Sequence, residues 1–127
     1  MGRRTADDST AKADDARNCV ELCGRVTSAP MARELPSGDE IVTFRLSVPR
    51  AGDGPPGRAG SPGRAGSDWV DCVAWGARER RAVRAWAAGD RVLVTGSLRR
   101  RFYGAGAEKG TRLEVAVTRV RRTARAG

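Results

Sequence analysis

Histidine is absent from these 127 residues, tyrosine occurs once, and among 24 basic residues only Lys12 and Lys109 are lysines. Without histidine there is no imidazole to serve as a general base, and the commonest metal ligand is missing. The three cysteines, Cys19, Cys23 and Cys72, make an odd count. Cys19 and Cys23 fall in one expected strand, where four residues span roughly 13 Å, too far for a disulfide. The expectation is therefore no catalytic residue, no metal and no cofactor, with all three cysteines packing as small apolar side chains in a reducing compartment. No apolar run approaches the ~20 residues that a membrane-spanning helix needs. The opening MGRRTADDSTAKADDAR lacks the hydrophobic centre of a secretory signal. Thr5 also falls out of register for a myristoylation motif.

What the chain does have is arginine. The formal net charge is +9, a balance that points to a polyanionic partner, nucleic acid before an anionic membrane. The charge is unevenly placed. Residues 1–17 hold four basic and four acidic groups and cancel, whereas Gly89–Gly127 hold ten basic and three acidic groups.

Residues 1–17 are polar and mixed in charge, as in a disordered tail. CVELCGRV (Cys19–Val26) reads as a strand, and APMARELPSGDE as a turn-rich connection. IVTFRLSV (Ile41–Val48) alternates, with Val42, Phe44, Leu46 and Val48 on one face and Thr43, Arg45 and Ser47 on the other. Residues 49–68 contain PGRAGS twice in tandem, Pro56–Ser61 and Pro62–Ser67, and are expected to form a long flexible loop. DWVDCVAW then resumes the alternation. ARERRAVRAWAA (Ala77–Ala88) is the one good helix candidate, closed by Gly89, with Ala82, Val83 and Trp86 as its apolar stripe.

Two further strands complete the pattern. RVLVTGSLR (Arg91–Arg99) should turn Val92, Val94 and Leu98 inward, with a bend or bulge at Gly96. RLEVAVTRV (Arg112–Val120) should do the same with Leu113, Val115 and Val117. Five amphipathic strands and one short helix cannot cover the apolar face of an open sheet. Closing the sheet into a barrel, with the helix plugging one end, solves this. The expected fold is all-β, a five-stranded OB-fold barrel with one short helix between the third and fourth strands, spanning residues 18–121. A basic tail over 122–127 follows.

At period two, Val70, Cys72 and Ala74 share one side of their strand and Trp69, Asp71, Val73 and Trp75 the other. The first set suits a barrel interior. The second places two indoles on the outer face, ~20 Å apart along the strand, a platform on which bases can stack. The alternative is that these rings pack under a loop or in a subunit contact. In GSLRRRFYG, the residues Arg99, Arg101 and Tyr103 share a side, setting two guanidinium groups beside a ring, and Phe102 on the other side is expected in the core. The alternative here is a charged edge strand. Trp86, on the helix stripe, is expected in the core. Asp71 and Glu114, within their strands, read as a solvated pair rather than as an acid–base couple.

Taken together, NCVELCGRV, IVTFRLSV, DWVDCVAWG and AAGDRVLVTGSLRRRFY resemble, in order and spacing, the bacterial single-stranded DNA-binding protein family. The resemblance covers roughly Asn18 to Arg121. It implies a non-enzymatic protein that binds single-stranded DNA without sequence specificity, in replication, recombination or repair. It also implies a homo-oligomer, by resemblance a tetramer, in the cytoplasm and associated with the nucleoid. Trp69, Trp75 and Tyr103 match stacking positions of the family, and Arg99 and Arg101 match its basic contacts. Arg45, Arg50, Arg58 and Arg64 are expected to add phosphate contacts, the last three from the PGRAGS arm and its root. Two departures stand out: Ala51 lies where the family has a further aromatic, and Val70 where it often has histidine. RRTARAG replaces the family's acidic tip, so recruitment of repair enzymes is expected to be poor. The competing reading is an OB-fold adaptor that binds RNA or a replication protein.

Overall fold

The computed structural model describes residues 16–50, 66–103 and 110–126, with Tyr103 described only in its backbone. The elements in chain order are β1 (Val20–Val26), β2 (Met31–Glu34), β3 (Glu40–Pro49), β4 (Ser67–Ala74), α1 (Ala77–Arg84), β5 (Arg91–Tyr103) and β6 (Gly110–Ala124). The sheet runs β1-β5-β6-β4-β3, and β1 then pairs with β3, closing a ring of five strands. All pairings are antiparallel except β4 with β6. This is the OB-fold, with α1 between the third and fourth strands of the ring.

Closure depends on two glycines. A Cβ on Gly24 would sit 2.5 Å from the Ser47 carbonyl oxygen, where β1 passes from β5 to β3. One on Gly96 would sit 2.0 Å from the Ala116 carbonyl oxygen, at a register shift between Thr95 and Gly96. Only glycine permits backbones to approach this closely, which is the physical reason for the expected bend.

The barrel interior is filled by Val26, Val42, Phe44, Leu46, Cys72, Ala74, Val83, Trp86, Val92, Val94, Val115 and Val117, all buried. The plug is smaller than the alanine-rich run suggested. Ala85 and Trp86 donate to the carbonyls three residues back, and Ala87 donates instead to the Asp90 carboxylate at 2.9 Å. The helix therefore ends at Arg84, not at Ala88, and Gly89 (φ +91°) serves the turn that follows. Trp86, released from the helix, meets Phe44 edge-on at 5.4 Å and closes the barrel bottom.

Several other expectations give way. The connection after β1 contains a strand: Met31–Glu34 pairs with the first residues of β3, and the turn is closed by hydrogen bonds between Leu35, Gly38 and Asp39. That hairpin brings Leu35 against Ile41, Val73 and Ala116, so Val73 is buried on the outer face. Leu98, Leu113 and Phe102 are 43, 48 and 75% exposed rather than inward. The alternation is correct but the barrel has ended: β1 pairs with β5 only as far as Gly96, and the β5–β6 hairpin projects beyond the rim. At that rim the Asn18 carboxamide accepts from the Leu98 N–H (2.7 Å) and donates to its carbonyl (2.8 Å). Cys19 and Cys23 are exposed, and only Cys72 packs in the core. Finally, β6 runs to Ala124, so residues 122–124 belong to the sheet rather than to a tail.

Candidate nucleic-acid interface

The outer surface of β3, β4, β5 and β6 carries the candidate site. Cross-strand pairing sets Ser47 opposite Trp69 and Arg45 opposite Asp71, and β5 with β6 sets Arg99 opposite Glu114 and Arg101 opposite Arg112. Because side chains alternate across a strand, these residues lie on one side of the sheet. Trp69 is 62% exposed and Trp75 36% exposed. Both expected indoles are open to solvent, and Trp75 shares a hollow with Leu35, Pro36 and Ser37 of the β2–β3 turn.

Two hollows share this surface. A 220 Å³ hollow is lined by Met31, Arg33, Arg45, Asp71, Arg101 and Arg112, among others. A larger one, 590 Å³, brings Trp75 together with Leu35, Pro36, Arg99, Arg101 and Phe102. Six arginines and two carboxylates line the pair. The surface is therefore positive, with aromatic rings interleaved.

The two carboxylates are not the solvated pair that their spacing suggested. Asp71 accepts from Arg45 Nε at 2.9 Å and lies 4.0 Å from Arg112 Nη1. Glu114 is buried, with Arg101 Nη1 at 3.8 Å. That nitrogen is itself buried and makes no hydrogen bond. Arg45 also lies over the Trp69 ring, its guanidinium carbon 4.1 Å from the centroid. Beneath this surface Cys72 is inert: burial first, then the Asp71 and Glu114 charges, push its thiol up to about 12, far from the thiolate that nucleophilic or metal chemistry needs. Among the described residues no group of three or more cysteines and carboxylates could hold a metal ion, and no helix is long and apolar enough to cross a membrane.

Trp69, Trp75, Arg45, Arg99 and Arg101 are thus brought together. Arg50 stands apart at the root of the loop, paired with Asp68 through Nε and Nη2, each 3.1 Å from the same oxygen. Arg58 and Arg64 lie outside the described residues, as does the Tyr103 side chain. Phe102, Arg33 and Arg112 were not anticipated. RRRFY carried a signal for Phe102, since an apolar row that alternates with arginine has no partner beyond the barrel. Arg33 was hidden by Pro30 and Pro36, which made a short strand look like a loop.

A closed five-stranded ring, helix-plugged and bearing an arginine-rich face with exposed indoles, defines an OB-fold. The chain belongs to the single-strand binding protein family, whose model matches residues 17–123. It is 33% identical over 86 residues to the single-stranded DNA-binding protein of Bacillus cereus, an alignment covering 68% of this chain and 47% of the relative. It is 30% identical over 86 residues to single-stranded DNA-binding protein A of Bacillus subtilis, covering 68% and 46%. The chain spans about half the length of these curated relatives. Its fold is similar to that of the Plasmodium falciparum SSB in complex with ssDNA, with a TM-score of 0.61 at 21% identity, over 84% of this chain and 95% of that one.

Proposed function

We propose that this protein binds single-stranded DNA without sequence preference and performs no chemistry on it, protecting exposed strands during replication, recombination or repair. The observation that carries the reading is that both indoles are open to solvent beside arginine, Trp69 under Arg45 and Trp75 in one hollow with Arg99 and Arg101. Every base has a π-face, so stacking on these indoles is sequence-tolerant and contributes about 1–3 kcal/mol per base. Arg99 and Arg101 neutralise phosphates, and Tyr103, on the same strand, extends the stacking path. Arg50, Arg58 and Arg64 meet the strand where it passes the loop. Family membership supports a homo-oligomer, a tetramer, in the cytoplasm with the nucleoid.

Titration with poly-dT while following tryptophan emission tests this. Strong quenching is expected, with affinity falling as salt rises at a slope of about −0.7 per phosphate neutralised. Equal affinity for duplex DNA would mark a generic polycation, and tighter RNA or protein binding without quenching would favour an adaptor. Solution mass, measured alongside, checks the tetramer.

A further inference from the structure

We infer that Asp71 and Arg45 act as positioning residues for Trp69, making it a one-sided stacking platform whose neighbouring guanidinium is withheld from phosphate. The inference rests on the single-stranded DNA reading above and concerns the same surface. Asp71 holds Arg45 Nε at 2.9 Å across the β3–β4 ladder, and the Arg45 guanidinium carbon lies 4.1 Å from the Trp69 ring centroid. A base needs about the same stacking distance for itself, so none fits between ring and guanidinium while the ion pair is made. The ring is still 62% exposed, which leaves its other face for one nucleobase.

The cation also acts on the ring electrostatically. A guanidinium over an indole is attracted by the ring's negative face, worth about 0.5–1 kcal/mol at an exposed site, and this fixes the ring before DNA arrives. Asp71 is itself steadied by a second guanidinium, Arg112, 4.0 Å from its other oxygen. With side-chain exposure of 45% for Arg45 and 22% for Asp71, the pair is only partly solvated. Arg45 therefore stays in the interface but serves the ring rather than the phosphate. Arg99, exposed on the same face, serves the phosphate.

The test compares salt slopes for oligo-dT binding to the full chain and to Arg99→Ala, Arg45→Ala and Asp71→Asn. Arg99→Ala should reduce the magnitude of the slope by about 0.7, the value for one phosphate. Arg45→Ala should leave the slope unchanged while weakening binding about two- to fivefold at every salt concentration, the loss of the cation–ring contact. Asp71→Asn should increase the magnitude by at least about 0.7, as released guanidinium groups turn to phosphate. The inference is overturned if Arg45→Ala reduces the slope as Arg99→Ala does, if it changes neither slope nor affinity, or if Asp71→Asn leaves the slope where it was. Should Arg45→Ala not fold, Arg45→Gln gives the same readout with the side-chain length retained. Absence of binding by the unmodified chain would defeat the single-stranded DNA reading itself, a separate outcome.

Discussion

Replacing Trp69 by alanine should separate binding from stability. The ring is 62% exposed and makes its described ring contact with Arg45 alone, so folding loses mainly that contact, about 0.5–1 kcal/mol. Binding loses a stacked base, about 1–3 kcal/mol. At 1.4 kcal/mol per decade this is a fall of about 5- to 150-fold in affinity. The salt slope should not move, because an indole neutralises no phosphate. Since the variant lacks a reporting tryptophan, the assay is anisotropy of labelled oligo-dT across a salt series, with urea unfolding in parallel. Affinity within twofold of the unmodified chain would refute the stacking argument. So would a stability loss of about 3–5 kcal/mol, the size expected when a buried aromatic is truncated.

Gly96→Ala should cost about 3 kcal/mol or more in urea unfolding, because its Cβ would meet the Ala116 carbonyl oxygen at 2.0 Å and neither backbone can yield; a melt like that of the unmodified chain would contradict this. Asp90 is held below the usual carboxylate range, first by the Ala87 N–H, then by the Ala126 N–H, and further by Arg122. A depressed pKa gives stability that is full above the unfolded value, about 3.9, and lost as pH falls through the lower folded value. Asp90→Asn should therefore lower stability at neutral pH and flatten the acid limb of a stability–pH profile, leaving the slope above neutrality unchanged. Thiol titration at pH 8 should modify exposed Cys19 and Cys23 and spare Cys72, whose thiol is pushed up to about 12; in denaturant all three should react, and rapid native modification of the third would show that the barrel opens.

How much could be read in advance follows from the range of the interactions involved. Alternation is local, and it assigned Val42, Phe44 and Leu46 to the interior and left Trp69 outside, because each strand buries one face wherever it sits. Gly96 was likewise marked as a bend by its type alone. The short strand Met31–Glu34 was invisible: its four residues are all exposed, so no apolar period betrays it, and only its pairing with β3 makes it a strand. Leu98, Leu113 and Phe102 were assigned to the interior by a period that is correct, and failed because alternation does not say where the barrel stops.

The candidate site divides the same way. Residue types and order carried the two indoles, the arginine run and the likeness to a family. The salt bridges did not show, since Arg45 and Asp71 lie 26 residues apart, and their pairing depends on the β3–β4 register. Sequence by itself determined the class of fold, the sign of the surface and the outward placing of the two indoles, Trp69 and Trp75, because burial and charge are properties of each residue in its own strand. Only tertiary structure decided the end of the helix, the rim of the barrel and the Arg45 guanidinium laid over Trp69. Those depend on which distant backbones meet, and on carboxylates that have no partner until they do.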